Sequence, residues 1–590
     1  MSEMVIQGSR PRNVGWQRAA ALLYGDWGTS KAYVIGLAVL LAGYAAPVYL
    51  AAIVGLTFLV GCNYVWVCRF FPEGGGVYHA ARTHSARLAV VGALLLLADY
   101  AVTASMSCYE AFNYFGTGDA TRWAILAIFV LGVLNYFGPR LSSGLAVYLA
   151  VPMVLVVSGL VAGGLWKQPE LHWHWPTVGF GHSWQLFAGM VLALSGVEAV
   201  ANTTGVMKLD PDASPERPSV HRNARRAIWL VMAEVCLLTA ALGVLAAGMP
   251  EESFNKPESF LRKMAEYYVH PNYGLAVGVV VGLLLLSAVN TAIVATVAIL
   301  FSMAQDGELP PVFRMLNRQG VPWVPLIVAV GLPILILDLA PGFEALASLY
   351  AIGVVGAITL NLASTSTDKP LPMAKWQRVV MMGTAVLMGS IWITIAVTKV
   401  HALMFALTVC GVGLFVRETY RAKLKEETAK GLVSSPMVAS AAAPPVFGEE
   451  EGEEGEEGGR ILVAARGLTP SARFALEEAK LRSSRLYFLY IREVQVATEV
   501  SGRLKDDAEA EKVLHEASKL ARESKVALTP VYCTANKASD MIVELAATLG
   551  ADVVVLGGTR RGLLVNLLRG DTVREVSAHL PEEIKLVVVG

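Results

Sequence analysis

Three short stretches of this chain set carboxylates beside hydroxyls inside apolar runs. Asp26 lies in YGDWGTSKAY, residues 24–33. Asp99, Thr103 and Ser107 lie in LLLLADYAVTASMS. Their i, i+4, i+8 spacing puts a carboxylate and two hydroxyls along one helical face, with Tyr100 beside them. Ser195 and Glu198 lie in LALSGVEAVANTTG. Oxygen donors without sulfur or imidazole suit a hard, monovalent cation and not a transition metal. The plainer alternative is that the acids are paired glue between helices and the hydroxyls are interhelical hydrogen bonds. Against it stands the insertion cost of an acid in mid-span, about 2.5–3.5 kcal/mol each, which three separate acids would have to bear without a use.

The elements that carry these residues follow from composition. Of 590 residues 55% are hydrophobic and 16% charged, and mean hydropathy is +0.52. A soluble chain is nearer a quarter charged. Apolar runs of about twenty residues, the length that crosses a hydrocarbon layer about 30 Å thick, recur over the first 420 positions. Twelve predicted spans lie near 17–42, 46–70, 88–115, 122–138, 144–166, 184–207, 226–248, 273–303, 322–340, 343–365, 377–398 and 400–417. The chain therefore reads as an α-helical polytopic membrane protein. Arg and Lys gather before span one, between spans two and three, after span six and after span twelve, which puts both termini in the cytoplasm. No charged, cleavable leader is expected ahead of span one. The cysteines show no C-x-x-C spacing, five of the six lie in apolar spans, and they read as buried small residues.

Gly25, Gly28, Thr29 and Ser30 around Asp26 favour an interrupted helix whose freed carbonyls suit a cation. Ser195-Gly196 beside Glu198 repeats the pattern in span six. Interruptions five spans apart are the signature of an inverted-repeat transporter with its site at the midplane.

Past residue 425 the character changes. Residues 426–459 hold small residues, adjacent prolines and seven glutamates between Glu449 and Glu457, and read as a flexible acidic linker. From 460 to 590, RILVAA, RLYFLYI, VALTPV, DVVVLG and IKLVVVG alternate with helical stretches, so an α/β domain with a covered parallel sheet is expected. Its last run, IKLVVVG, is expected at the sheet edge.

FPEGGGVYHAAR after span two, SGVEAVANTTGVMK in span six and SMAQDGELPPVF after span eight resemble the amino acid–polyamine–organocation (APC) superfamily. YGDWGTSKAY is similar to the opening motif of the KUP/HAK/KT potassium-uptake family, and the whole set resembles KimA-type bacterial potassium importers more closely. The resemblance covers about residues 15–420 and implies twelve transmembrane helices with a 5+5 inverted-repeat core of the LeuT/APC type. It also implies proton-driven potassium uptake across the bacterial inner membrane. By matching positions it makes Asp26 and Tyr33 ligands or gates, lines the same path with Asp99, Thr103, Ser107, Ser195 and Glu198, and closes it with Tyr350 of SLYAIGV. Potassium itself would be held by Asp26, Asp99, Thr103, Ser195 and Glu198. The protein is not expected to be an enzyme or to need a cofactor, or to bind nucleic acid.

Lys31 departs from that pattern. Two readings stay open: it pairs with Asp26 as a built-in cation, or its stem snorkels away. Glu234 in span seven reads as a partner for a basic loop residue. The main rival function is an amino-acid permease, whose span-one break presents bare N–H groups to a substrate carboxylate. Asp26 would repel that carboxylate, unless Lys31 neutralises it. A third reading, a stress sensor with a mere membrane anchor, leaves the mid-span acids without a purpose.

Residues 460–590 resemble a universal stress protein domain, which implies a homodimer paired through its edge strand. That family's phosphate loop is degenerate here: GGTRRGLLVNLLRGDT keeps Gly557 and Gly570 but has Arg560 in place of a glycine, and Arg466 replaces the usual aspartate. ATP binding in the family manner is therefore not expected. Arg466, Arg560 and Arg561 suit another anionic adenine nucleotide, cyclic di-AMP among them, and dimerisation alone is the competing reading.

Overall fold

The computed structural model describes residues 4–6, 12, 14–74, 76–138, 143–214, 217–317, 319–340, 342–429, 459–494, 504, 507–535, 537–558 and 571–590. Inside a bilayer only a helix satisfies its own backbone, and the apolar runs fold accordingly. Helical segments follow the twelve predicted spans to within a few residues. Among the described residues eight stretches are long and apolar enough to cross a membrane, the first of which, Trp16–Phe70, contains two runs joined by a tight turn. Ala120–Tyr136 and Trp323–Leu339 are shorter apolar helices.

Spans one and six are both interrupted. Span one consists of Trp16–Trp27 and Lys31–Ala42. Span six runs as Phe180–Met190, a 3-10 turn at Val191–Leu194, an irregular stretch, and a short helix at Ala199–Thr203. Span three, Ala86–Phe115, is buried along most of its length, with spans eight (Pro271–Gln305) and ten (Phe343–Thr367) packed on it.

The ends of the spans on the N-terminal side are clamped by ions. Asp306 accepts from the Tyr78 hydroxyl at 2.8 Å and pairs with Arg82. Glu308 pairs with the buried Arg417 at 2.5 Å and with Arg421 at 2.8 Å. Two of the three motifs that carry the superfamily resemblance, FPEGGGVYHAAR and SMAQDGELPPVF, thus meet in one contact. All six cysteines are free thiols.

The C-terminal domain has the expected strands: β2 Arg460–Ala464, β3 Arg485–Glu493, β4 Leu528–Ala535, β5 Val553–Gly557 and β6 Lys585–Val589. All pair in parallel, and apolar clusters cover both faces of the sheet. With β1 at Met4–Ile6 the order is β1-β4-β3-β2-β5-β6, so β6 is an edge as expected. The other edge was not foreseen. It is β1, Met4–Ile6, from the opposite end of the chain, paired in register with Val531–Cys533. Val494, just past β3, packs into the membrane-domain core, so the two parts also touch there.

One ion pair anchors the outer helix of this domain. Arg492 grips Asp507 through two bonds of 2.7 and 2.6 Å. Asp507 also caps the helix Ala508–Glu523 by accepting from Ala510 N, and takes the Tyr532 hydroxyl. Burial pushes the Asp507 carboxyl up, but the Arg492 bonds outweigh it and hold the group below its usual range. A carboxyl lowered on folding stabilises the fold above its unfolded pKa and loses that contribution as pH falls through the folded one. Asp507→Asn should therefore destabilise the C-terminal domain by about 2 kcal/mol at neutral pH. The gap to wild type should narrow in strong acid, as read by hydrogen exchange of β3 and β4 in the intact protein.

Candidate functional site

The interruption in span one is held open by its own side chains. Thr29 Oγ1 donates to Asp26 O at 2.6 Å, Ser30 Oγ to Trp27 O at 2.8 Å, and Lys31 Nζ to Gly28 O at 2.9 Å. Three consecutive carbonyls each receive a side chain from three residues on, and Trp27 O takes the Ser30 N–H as well, at 3.3 Å. The sequence reading offered these carbonyls to a cation. In the structure the chain's own hydroxyls and ammonium occupy them.

Lys31 fits neither of its two sequence readings. Its ammonium is fully buried, so it does not snorkel, and its partner is Glu234 of span seven, not Asp26. Nζ lies 3.0 Å from both carboxylate oxygens of Glu234 and 3.1 Å from the Tyr24 hydroxyl, which itself donates to Glu234 at 2.9 Å. The partner of Glu234 is thus a buried lysine and a tyrosine, not a basic loop residue.

The two interruptions meet at Gly196. It adopts φ +94°, and a Cβ there would lie 2.7 Å from Trp27 Cα, so only glycine lets span six approach the span-one break. On the other side Gly353 of span ten presses on span three, where a Cβ would sit 3.0 Å from Asp99 Cα. These contacts bring Asp26, Asp99 and Glu198 close enough for Asp99 to feel both other charges. All three are buried. Among the described residues no three His, Cys, Asp or Glu side chains are arranged to hold a metal ion by themselves.

The polar atoms around them are unevenly satisfied. Glu198 Oε1 accepts from Gly196 N at 3.3 Å, and Thr103 Oγ1 reaches Asp99 Oδ1 at 3.5 Å, the limit of a hydrogen bond. Asp99 and Glu198 lie within hydrogen-bond reach of each other, and beyond that contact Asp99 Oδ2 and Glu198 Oε2, like Ser107 Oγ, are buried with no donor. Tyr350 donates to Ser195 Oγ at 2.6 Å and meets the Tyr33 hydroxyl at 3.1 Å, with ring centroids 5.8 Å apart. That chain joins spans six, ten and one above the break. Asp26, Tyr33, Asp99, Ser195, Glu198 and Tyr350 are thus gathered around one centre, with Thr103 beside Asp99.

Sequence reading missed two parts. Asn202 donates to the Tyr100 hydroxyl at 2.7 Å, tying span six to span three. Glu110, a further buried acid of span three, accepts from Ser259 N at 3.0 Å and holds the start of the short helix Phe260–Tyr268. A count of every acid inside the predicted spans would have found Glu110.

In the C-terminal domain Arg466 is bonded to the buried Glu493 at 3.3 Å, and Glu493 also takes Ala538 N. Gly557 ends β5. Arg560, Arg561 and Gly570 lie outside the described residues.

Comparison with known proteins follows the same division. A family model described as amino acid permease matches residues 14–417. The chain belongs to that permease family. A second model, the universal stress protein family, matches residues 458–587, so a transporter domain of the APC type is followed by a stress-protein domain. The potassium transporter KimA of Bacillus subtilis is 26% identical over 379 residues, covering 58% of this chain and 60% of that protein. The D-serine/D-alanine/glycine transporter of Escherichia coli K12 is 26% identical over 241 residues, covering 37% of this chain and 48% of that one. The match thus spans less than two thirds of either relative. Among solved structures, a universal stress protein from Archaeoglobus fulgidus is 23% identical, covering 22% of this chain and 98% of that one, with a TM-score of 0.19.

The Lys31–Glu234 pair makes a direct test. Removing one partner of a buried pair strands a charge at a cost of about 3–5 kcal/mol, whereas removing both is far cheaper. Lys31→Met and Glu234→Gln should each lower the melting temperature of the permease in micelles, and the double variant should recover most of the loss. Additive losses in the double variant would break the pairing.

Proposed function

We propose that this permease imports potassium together with protons through the centre between spans one, three, six and ten. The carrying observation is the pair of buried oxygens without a donor, Asp99 Oδ2 and Glu198 Oε2, on carboxyls close to each other and to Asp26. Such atoms are costly unless a ligand or proton completes them. Three carboxyl groups this close in a low dielectric do not all stay ionised without a cation among them. A cation held by two of them leaves the third to carry a proton. In this reading potassium is the substrate, with Asp26, Asp99, Glu198, Thr103 and Ser195 as its ligands, and the Tyr33–Tyr350 contact is the gate that must part. The likeness to KimA supports potassium as the ion.

The amino-acid rival needs Asp26 neutralised. Lys31 does not supply that, because its ammonium is taken up by Glu234, Tyr24 and Gly28 O. A substrate carboxylate would meet acids instead of bare N–H groups. Uptake in proteoliposomes separates the two. Rubidium should enter the wild type, faster with an inward proton gradient, and Asp26→Asn should lose at least about tenfold of that flux while still inserting. Labelled glycine or D-serine entering in place of rubidium would overturn the proposal.

We further propose that the C-terminal domain pairs two copies of the chain through β6. Val588 on this strand is 47% exposed, and an uncovered apolar edge is an aggregation hazard. Strand pairing about a two-fold axis is closed, so assembly stops at two. A nucleotide role for Arg466 would require it to leave Glu493, so ATP in the family manner is not part of the proposal. Mass measurement in micelles should find a dimer, shifted towards monomer by deletion of Ile584–Gly590 and by Val588→Lys. A monomeric wild type, or a Val588→Lys protein that stays fully dimeric, would defeat it.

A further inference from the structure

A second concave site lies outside the transport centre, on the side of the membrane domain that carries the N-terminus. A cavity of about 280 Å³ opens between the end of span two (Ala46–Phe70) and the starts of spans seven (His221–Ala246) and eleven (Lys375–Thr398). Its lining includes Trp66, Arg69, His221, Arg225, Trp229 and Gln377, and no carboxylate.

No carboxylate pairs with the arginines of this cleft. Among the described residues neither Arg69 nor Arg225 makes an ion pair or a side-chain hydrogen bond, although other basic side chains on this face do. His221 sits close enough to both guanidiniums to feel their charge, and its Nδ1 is buried with no partner. Asp210, an acid whose charge reaches His221, lies outside the lining and is bonded to the Ser219 hydroxyl and the backbone N–H of Arg222. Two guanidiniums converging with no carboxylate in the lining form a receptor for a phosphate group, which Arg recognises through paired N–H bonds.

The aromatic residues say what that phosphate is attached to. Trp66 meets Trp376 edge-on with centroids 5.1 Å apart, and Trp229 meets Phe58 at 5.7 Å. Phe58, Trp229 and Trp376 are all more than 40% exposed on the outer face of the helices. Trp229 is one turn past Arg225. Phe58 precedes Arg69 by eleven residues, about 16 Å along span two. An apolar strip therefore runs from the basic cleft into the hydrocarbon layer, as an amphiphile with an anionic head would require. Tryptophan at the level of the arginines marks the membrane interface.

We propose that this cleft binds an anionic phospholipid, its phosphodiester between Arg69 and Arg225 and its acyl chains along Phe58 and Trp229. A free phosphate would use the arginines but not the strip, and this separates the two sources. The site bridges spans two and seven to span eleven, so an occupied cleft ties them together.

The test uses the full-length protein in phosphatidylcholine nanodiscs with a trace of fluorescent phosphatidylglycerol, read by energy transfer from tryptophan. Wild type should bind the probe saturably. Arg69→Gln/Arg225→Gln should weaken binding at least about tenfold, and Arg226→Gln, outside the cleft on the same helix, should leave it unchanged. Millimolar inorganic phosphate should not displace the probe. Unchanged binding in the double variant, an equal loss in Arg226→Gln, or displacement by phosphate would each overturn the assignment. All three arginine positions border solvent, and monodispersity of the variants checks their folding.

Discussion

A helix that stops inside a hydrocarbon layer exposes carbonyls that lipid cannot satisfy, and everything at the centre of this protein depends on how those carbonyls are met. Thr29, Ser30 and Lys31 each reach back to the carbonyl three residues earlier. Two of these donors are neutral. The third is an ammonium, and burying it calls for a counter-charge, which Glu234 of span seven provides with Tyr24 between them. The broken helix is thus a self-contained unit locked to span seven, and it leaves the acid nearest the break, Asp26, outside that lock.

The consequence is a division of labour among buried carboxylates. Glu234 and Glu110 are spoken for, by Lys31 and by Ser259 N respectively. Asp99 and Glu198 each keep an oxygen without a donor beyond their contact with each other. An acid that is fully bonded holds structure together, whereas one with a bare buried oxygen retains capacity for a ligand or a proton. Close approach of the backbones makes this possible. Gly196 lets span six reach Trp27, and Gly353 lets span ten reach Asp99. A side chain at either position would wedge the carboxylates apart.

The same economy of charge operates at the membrane boundary. Asp306 and Glu308, two residues apart after span eight, collect Tyr78, Arg82, Arg417 and Arg421 from two other segments. Where no carboxylate pairs with the arginines, at Arg69 and Arg225, tryptophans flank them. The C-terminal sheet is attached by β1 as well as by the end of the last span, so both ends of the membrane domain lead into it.

The amino-acid sequence alone determined the apolar helical runs, the breaks in spans one and six, the five C-terminal strands and the burial of the acids Asp26, Asp99 and Glu198. Each is written in a local pattern: an apolar run of fixed length, small residues beside an acid, or alternating β-rich and helical periods. Tertiary structure decided the partners. Lys31 is five residues from Asp26 and 203 from Glu234, yet it bonds to Glu234, because the break turns its side chain towards span seven. Met4–Ile6 carries too short a pattern to read as a strand, and becomes one only where β4 offers an open edge. Whether a carbonyl at a helix break is free or filled depends on which side chain folds back over it. No spacing rule encodes that choice, because it is settled by what the neighbouring helices leave room for.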